Sequence, residues 1–342
     1  MIEGQTNVRS ALFGAGSIDG LGRSLGRFVV TTMPVPWQLA QDRLGGDPAA
    51  VLFVDSMEVE ELERQLAGLP GCDALVGIGG GRAVDAAKYF AWRRGARLVT
   101  IPTALSVDAF VTPAAGVRRR HKVEYVGASS PDPLVIDYDL LRTAPRELNI
   151  AGVGDLLSIH TATFDWELAA AAGRSEYPFV AADLKEARRI LEDVFSQAEG
   201  IRGCSDDGLR TIVEGYMRVN AICLPAGHYR VEEGSEHYLF YELEERLGRA
   251  FVHGQIVGLG VYLMSRLQAN DPARVTRFMD HVGLPYHPAD LEIDRVQLKA
   301  SLGSLGSYIA RRPDFWYTVI NERPITAQWL DVALAGLRFA SS

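Results

Sequence analysis

A strand-like segment that runs into three consecutive glycines and then into a helical pattern constrains the fold of this 342-residue chain more than any other feature. The apolar run 74–78 is followed by Gly79, Gly80 and Gly81, and helical periodicity extends from about Ala83 to Arg94. Glycines permit positive φ and let a phosphate approach the backbone, and the first N–H groups of a helix attract anions. The spacing is neither G-x-G-x-x-G nor a Walker loop, so a tight packing turn remains the alternative.

Further short apolar runs precede and follow this turn. The sequence predicts strands at 28–32, 51–54, 74–78, 98–101 and 134–137, with a hairpin at about 116–126. A helix with Ser56 as its N-cap is expected after the second strand. Continuous apolar strands that alternate with helices predict a parallel sheet covered on both faces. We therefore expect an α/β, Rossmann-like N-terminal domain over residues 1–148.

The pattern changes after Asn149, where helical periodicity dominates. Helices are predicted at roughly 155–172, 180–198, 206–222, 231–247, 250–268, 273–281, 294–309 and 326–338. We therefore expect an all-α C-terminal domain over residues 149–342.

Composition excludes several classes of function. Asp and Glu total 43 against 35 Lys and Arg, and a net charge of −8 without a basic stripe disfavours nucleic-acid binding. The three scattered cysteines indicate neither a disulfide framework nor a thiolate zinc site. No secretory signal pattern and no apolar stretch long enough to cross a membrane is evident, so we expect a cytoplasmic protein.

Polar side chains follow the strand predicted at 98–101. Thr103, Ser106 and Asp108 lie where ligands bind in open α/β sheets, namely beyond the carboxyl end of a parallel strand. They offer hydroxyls and a carboxylate to ribose, nicotinamide or substrate. The alternative interpretation is a loop that contains these residues only because they favour turns. Asp85 and Lys88 share one helix face, and they form either a surface ion pair or a contact to the cofactor loop.

One carboxylate and two histidines are candidates for a metal site. His237 opens a predicted helix after Gly234, and His253 lies near the start of the next apolar helix. Asp155 is expected at the start of the first helix of the second domain, where it would also serve as an N-cap. Two imidazoles and a carboxylate suit Zn²⁺ with one position open for substrate or water. Satisfied core histidines are the alternative interpretation.

These motifs occur in an order that resembles the dehydroquinate-synthase-like superfamily. The superfamily includes metal-dependent polyol dehydrogenases, iron-type alcohol dehydrogenases and sugar-phosphate cyclases. The closest likeness is to sn-glycerol-1-phosphate dehydrogenases, with glycerol dehydrogenases next. The resemblance covers about residues 10–265, and it is carried by the segments 79–88, 101–108, 151–158, 161–166, 234–237 and 253–255.

The resemblance implies that the first domain binds NAD(P), that the helical domain binds a metal ion and the substrate, and that the candidate residues have the following roles. Asp155, His237 and His253 look like metal ligands, and Gly79–Gly81 look like a pyrophosphate loop with Asp85 in the same motif. The remaining assignments are that Thr103 and Ser106 contact the cofactor, that Asp108 contacts the substrate or nicotinamide, and that His160 relays a proton or lines the site. The cofactor is NAD or NADP, because no acid ends the strand at 28–32 to hold a ribose hydroxyl. We expect a homo-oligomer.

Departures from the family patterns narrow the prediction. Iron-type alcohol dehydrogenases carry a histidine four residues after the aspartate, whereas this chain has Ile159 there, which favours zinc over Fe²⁺ or another divalent metal. Glycerol-phosphate dehydrogenases usually read Ser-Lys-Tyr-Thr-Ala where this chain reads Ser-Ile-His-Thr-Ala at 158–162, so both a polyol and a polyol phosphate stay open as substrates. An NAD- and metal-dependent sugar-phosphate cyclase is the alternative enzyme, and a non-catalytic binding protein is the alternative outside enzymes.

Overall fold

The computed structural model describes residues 7–120 and 122–340. The chain divides into two compact units on either side of the Asn149–Ile150 bond. The first unit is built on a parallel sheet and the second is built from helices.

The first unit contains a six-stranded parallel sheet with the strand order β1-β8-β5-β4-β2-β3, and a separate antiparallel hairpin, β6–β7. The strands are β1 (Ala11–Gly14), β2 (Phe28–Thr32), β3 (Ala50–Phe53), β4 (Ala74–Gly79), β5 (Arg97–Pro102), β6 (Ala115–Arg119), β7 (Lys122–Val126) and β8 (Pro131–Asp137). Its helices are α1 (Pro34–Leu44), α2 (Val59–Ala67), α3 (Gly81–Arg94) and α4 (Tyr138–Leu141). The predicted α/β, Rossmann-like fold is confirmed.

Apolar side chains on both faces of the central strands explain why the sheet is buried. Val29 and Leu75 pack on one face together with residues of α2, α3 and the hairpin. Their chain neighbours Val30 and Val76 pack on the opposite face with residues of α1 and α4. Because successive side chains of a strand point to opposite faces, an uninterrupted apolar run supplies both cores at once.

The register of β4 and β5 sets the position of the polar loops. Gly79, the last residue of β4, pairs with Pro102, the last residue of β5. The glycine turn after β4 and the loop 103–108 after β5 therefore leave the sheet at the same edge, which is its carboxyl edge.

Two details of the first unit differ from prediction. The edge strand β1 was not predicted, since it has only four residues and none of them is fully buried. Helix α2 begins at Val59 with Glu58 as its N-cap residue, so Ser56 is not the cap. The Ser56 hydroxyl instead accepts a hydrogen bond from the Glu58 N–H at 3.1 Å.

In the described residues of the second unit, all regular structure is helical. The helices are α5 (Arg146–Leu156), which begins before the dividing bond, α6 (Ser158–Ala171), α7 (Ala181–Ser196), α8 (Ala198–Arg202), α9 (Asp206–Ala226), α10 (Ser235–Leu247), α11 (His253–Gln268), α12 (Pro272–Val282), α13 (Arg295–Ala310), α14 (Val319–Glu322) and α15 (Ala327–Ala333). Among the described helices, none has the length and apolar character needed to cross a membrane.

The helix predicted at 155–172 is two helices, α5 and α6, that meet at Leu157. Asp155 consequently lies in the last turn of α5 instead of at a helix start, and the prediction that it serves as an N-cap is wrong. Asp155 and His160 therefore belong to different helices, and the direction of one side chain does not set the direction of the other.

Candidate functional site

Three helices of the second unit bring one side chain each to a common point. Asp155 comes from the end of α5, His237 from the first turn of α10 and His253 from the first position of α11. The Asp155 Oδ1 atom lies 3.2 Å from His253 Nε2 and 3.5 Å from His237 Nε2. One ligand atom from each residue lies within 4.8 Å of those from the other two. Asp155 and His237 are buried, and His253 is partly exposed.

A glycine pair explains how α5 and α11 approach so closely at this point. A Cβ atom on Gly154 would lie 1.8 Å from the Gly254 carbonyl oxygen, and a Cβ on Gly254 would lie 1.8 Å from the Ala151 carbonyl oxygen. The two backbones are therefore in direct contact. Asp155 directly follows Gly154 and His253 directly precedes Gly254, so both side chains start beside this contact. Only glycine permits this approach.

The geometry and chemistry of the three side chains fit a divalent cation. Two ligands at about 2.0–2.1 Å from a tetrahedral zinc ion are roughly 3.3 Å apart. The distances of 3.2 and 3.5 Å between the carboxylate and the imidazoles match that spacing. Two imidazoles with one carboxylate leave a coordination position for substrate, as in catalytic zinc sites. Ile159, where iron-type relatives carry a fourth ligand, is a fully buried hydrocarbon.

The electrostatics of the cluster favour bound positive charge. Burial raises the pKa of Asp155, but the two imidazoles, His253 above all, outweigh burial and hold that pKa below its usual range. Burial lowers the pKa of His237, but its hydrogen bonds to Asp155 and Glu236 outweigh burial and raise the pKa well above the usual value. A site that holds a proton this tightly also attracts a metal ion, which takes the place of the proton.

Two further buried carboxylates lie behind the cluster, and sequence reasoning assigned no role to either. Glu236 Oε1 lies 3.0 Å from His237 Nδ1. Asp165 Oδ2 accepts the Ser235 N–H at 2.9 Å and Oδ1 accepts the Val319 N–H at 2.8 Å. Burial and the neighbouring Glu236 raise the pKa of Asp165 to about 6. The sequence did offer one clue to Glu236, because this acidic residue directly precedes His237, a candidate metal ligand.

His160 is not part of this cluster. Its Nε2 atom lies 2.6 Å from the carbonyl oxygen of Asn270, and the Asn270 side-chain amide donates back to the His160 carbonyl at 3.0 Å. Asn270 follows the end of α11, whereas His253 begins that helix, and sixteen residues of α-helix span roughly 22 Å. The structure therefore places His160 away from the imidazoles it was expected to assist.

The glycine turn of the first unit has the backbone geometry that a phosphate loop requires. Gly79 has φ +149°, and a Cβ there would lie 2.8 Å from the Ala83 side chain. Gly80 is extended and precedes α3, and a Cβ on it would meet nothing within 4 Å. The space above Gly80 leaves the first N–H groups of α3, a 14-residue helix, open to an anion.

The loop after β5 lies next to this turn at the sheet edge. The Thr103 N–H donates to the Gly79 carbonyl at 3.0 Å, which ties the two segments together. Asn149 Oδ1 accepts the Leu105 N–H at 3.2 Å and further orders the loop. Ser106 is partly exposed, and Asp108 begins a short 3-10 turn over Asp108–Phe110. The structure thus brings Thr103, Ser106 and Asp108 to the edge that carries the glycines.

Asp85 and Lys88 form an ion pair in which the lysine is buried and the aspartate is partly exposed. Their charged atoms are 2.7 Å apart, and the Lys88 side chain is 1% exposed. Lys88 also donates to the Thr112 hydroxyl at 3.1 Å, and the Gly116 N–H bonds to Asp85. Burial raises the pKa of Asp85, and the Lys88 ammonium opposes that rise. These contacts join α3 to the segment that leads into β6, and a role of Asp85 in cofactor binding stays a prediction.

Comparison with known proteins identifies the family. Residues 37–145 match the model of the iron-containing alcohol dehydrogenases. The chain is 30% identical over 280 residues to the glycerol-1-phosphate dehydrogenase [NAD(P)+] of Aeropyrum pernix, covering 82% of this chain and 76% of that one. It is 30% identical over 330 residues to that of Hyperthermus butylicus, covering 92% of each. The structure of a probable glycerol dehydrogenase from Sinorhizobium meliloti superposes with a TM-score of 0.72, at 26% identity over 96% of both chains.

A Rossmann-like unit with a glycine turn and a helical unit with a carboxylate–imidazole cluster define an NAD(P)-dependent alcohol dehydrogenase, which is an oxidoreductase. The chain belongs to the iron-containing alcohol dehydrogenase family, among relatives that are named glycerol-1-phosphate dehydrogenases. The predicted family resemblance is confirmed.

Proposed function

We propose that this enzyme oxidises a small polyol or polyol phosphate, or reduces the corresponding carbonyl compound, with NAD or NADP and a zinc ion. The observation that carries the proposal is the convergence of Asp155, His237 and His253 from three helices in a chain with dehydrogenase relatives. When bound, the cation would supply a Lewis acid for the substrate oxygen and the nicotinamide would supply the hydride acceptor.

The residues of the second unit would hold the cation and leave one ligand position free. Asp155 contributes a carboxylate oxygen and the two histidines contribute Nε2 atoms. The same donor set also occurs around non-haem Fe²⁺, so metal preference has to be measured. The absence of a fourth protein ligand at Ile159 supports zinc, because zinc is stable in catalytic sites with three protein ligands.

The residues of the first unit would bind the cofactor. Gly79, Gly80 and Gly81 let the pyrophosphate reach the N-terminus of α3, and Thr103 and Ser106 offer hydroxyls at the same sheet edge. Strand β2 ends at Thr32, whose hydroxyl donates to the Ile78 carbonyl at 2.8 Å. The lack of a carboxylate at the end of β2 is compatible with both NAD and NADP.

Asp108 would position a second hydroxyl of the substrate. A carboxylate at this loop accepts a hydrogen bond from a hydroxyl adjacent to the reacting carbon, which favours diols and polyols over simple alcohols. Losing a hydrogen bond to a charged group costs about 1.5–3 kcal/mol, so we expect Asp108→Asn to lower kcat/KM for polyols by roughly 10- to 100-fold. Asp139→Asn, at an exposed acid in α4, is the matched control and should leave kcat/KM unchanged.

A substrate panel tests the proposal. Polyols and polyol phosphates are offered with NAD⁺ and with NADP⁺, before and after chelator treatment, and reduced cofactor is measured. Net reduction of cofactor that the chelator abolishes and Zn²⁺ restores supports the proposal. Cyclisation of a sugar phosphate without net cofactor reduction would establish the cyclase instead, and turnover that resists complete metal removal would reject the metal site.

A further inference from the structure

We propose that Glu236 is a positioning residue for the metal: it fixes the tautomer and orientation of His237 and so sets the affinity for Zn²⁺. This inference rests on the metal-binding part of the proposed function. It concerns a residue that is outside the ligand set and touches the cluster only through the imidazole.

The contacts of Glu236 define its role. The residue is fully buried, and its Oε1 atom lies 3.0 Å from His237 Nδ1. The same oxygen accepts the Gly234 N–H at 2.6 Å, which pins the carboxylate at the start of α10. A carboxylate only accepts hydrogen bonds, so His237 must carry its proton on Nδ1. When a cation replaces the proton on Nε2, the lone pair of Nε2 would be available to it on the side of the ring that faces Asp155, 3.5 Å away.

The surrounding backbone is shaped to admit this carboxylate. A Cβ on Gly234 would lie 3.2 Å from Glu236 Oε2 and 2.9 Å from Asp165 Oδ2. A Cβ on Gly260 of α11 would lie 2.9 Å from the Glu236 Cβ and 2.6 Å from its carbonyl oxygen. Two glycines from different segments thus leave room for Glu236. A fully buried carboxylate is costly for the fold unless it is hydrogen-bonded, and Glu236 meets this condition through His237 and Gly234.

The consequence for the metal follows from general behaviour of metal-binding histidines. A carboxylate that accepts from the distal nitrogen locks the ring and makes the metal-facing nitrogen a stronger donor, and loss of such a partner typically weakens metal affinity about 10- to 100-fold. The buried negative charge of Glu236 also offsets the positive charge of a bound cation. Both effects strengthen binding without any direct bond to the ion.

The test measures Zn²⁺ affinity of the full chain by competition with a chromophoric chelator. Glu236→Gln keeps the shape of the side chain and removes its charge, and we expect Zn²⁺ to bind roughly 10- to 100-fold more weakly. Glu236→Asp keeps the charge but shortens the reach to His237, and it should weaken binding in the same direction. The visible spectrum of Co²⁺ bound in place of zinc should shift in both variants, because the imidazole is no longer held in one orientation.

Glu242→Gln is the matched control. Glu242 is a buried carboxylate on the same helix, and it accepts hydrogen bonds from Arg246 and Ser304 rather than from a metal-binding residue. The Glu242→Gln substitution should lower the free energy of unfolding without changing Zn²⁺ affinity or the Co²⁺ spectrum. Affinity within twofold of the wild type in either Glu236 variant would overturn the inference, as would equal weakening in Glu242→Gln. If the wild-type chain itself binds no Zn²⁺, the proposed metal site has failed instead.

Discussion

Each unit holds a carboxylate beside nitrogen-containing side chains, a lysine ammonium in the first unit and two imidazoles in the second. The two clusters differ in whether the chain itself supplies a permanent positive charge. In the first unit Asp85 meets the Lys88 ammonium at 2.7 Å, and Thr112 accepts another hydrogen bond from the same ammonium. In the second unit Asp155 meets two imidazoles, with the carboxylates Glu236 and Asp165 buried behind them. The first cluster contains its own permanent cation, whereas the second concentrates carboxylates around imidazoles, which are positively charged only when they hold a proton.

This difference indicates which cluster needs an external partner. A buried ion pair supplied by the chain is complete once it has folded, and its removal costs stability. Burying several carboxylates around imidazoles is unfavourable until a cation arrives, either protons or a metal ion.

Replacing Asp155 should abolish the function of the second cluster. Asp155→Ala removes the carboxylate that both imidazoles face, so we expect kcat/KM to fall by at least about 10³-fold, equivalent to about 4 kcal/mol of lost transition-state stabilisation. Steady-state kinetics in the presence of Zn²⁺ measure this loss. Asp207→Ala, at an exposed acid in the first turn of α9, should stay within twofold of the wild type. Full activity in Asp155→Ala would remove this residue from the metal site.

Replacing Lys88 should damage the fold and spare the metal. Lys88→Met leaves Asp85 buried without its cation, and we expect the free energy of unfolding to fall by about 3–5 kcal/mol. The comparison variant is Arg64→Met, which breaks an exposed pair with Glu61 at the same three-residue spacing. It should cost only about 0–1 kcal/mol. Denaturant titration measures both, and loss of bound zinc in folded Lys88→Met would contradict a purely structural role.

Adding one methyl group at the crossing of α5 and α11 should separate Asp155 from His253. A Cβ on Gly254 meets the Ala151 carbonyl at 1.8 Å, so Gly254→Ala should cost about 3 kcal/mol, the upper end for overpacking, and weaken Zn²⁺ binding. In Gly306→Ala on α13 the methyl group meets nothing within 4 Å. That variant should be neutral or more stable by up to about 1 kcal/mol. Equal stability of the two variants would show that the helices do not touch as described.

The smallest effect concerns pH and Asp165. Its folded pKa of about 6 exceeds the ordinary value of 3.8, so between about pH 4 and 6 the folded chain holds a proton that the unfolded chain has lost. Its contribution to stability therefore falls as pH rises through that window. Asp165→Asn lacks this titration, so its unfolding free energy relative to the wild type should improve by roughly 2 kcal/mol from pH 4 to 7. Metal-free samples are used at both pH values, and a pH-independent difference would contradict the raised pKa.

The sequence predicted most strands of the first unit and the glycine turn, because their pattern lies in neighbouring residues. Apolar runs predicted the strands of the sheet other than β1, and the glycines marked the turn before α3. Strand β1 was missed because it has only four residues, too few for a pattern to stand out. The cluster of Asp155, His237 and His253 was expected from motif order. The structure shows that the contact between Gly154 and Gly254 brings Asp155 and His253 together, and the sequence could not specify which glycines touch.

Packing between residues distant in sequence decides where the side chains of Asp85 and His160 lie. An aspartate and a lysine three residues apart look the same in sequence whether the pair is exposed or buried, and only the contacts with Thr112 and Gly116 show that Lys88 is internal. His160 follows Asp155 by five residues, yet the helix break at Leu157 directs it to Asn270.

We expect the second cluster to require a cation from outside the chain. A chelator removes the metal, Zn²⁺ is titrated back, and both bound zinc and NAD(P)H formation from a polyol or polyol phosphate are followed. Activity should vanish on chelation and return in proportion to zinc, reaching a plateau at one equivalent per chain. Activity that persists in fully metal-free protein, or zinc that binds equally well to His253→Ala, would contradict this expectation.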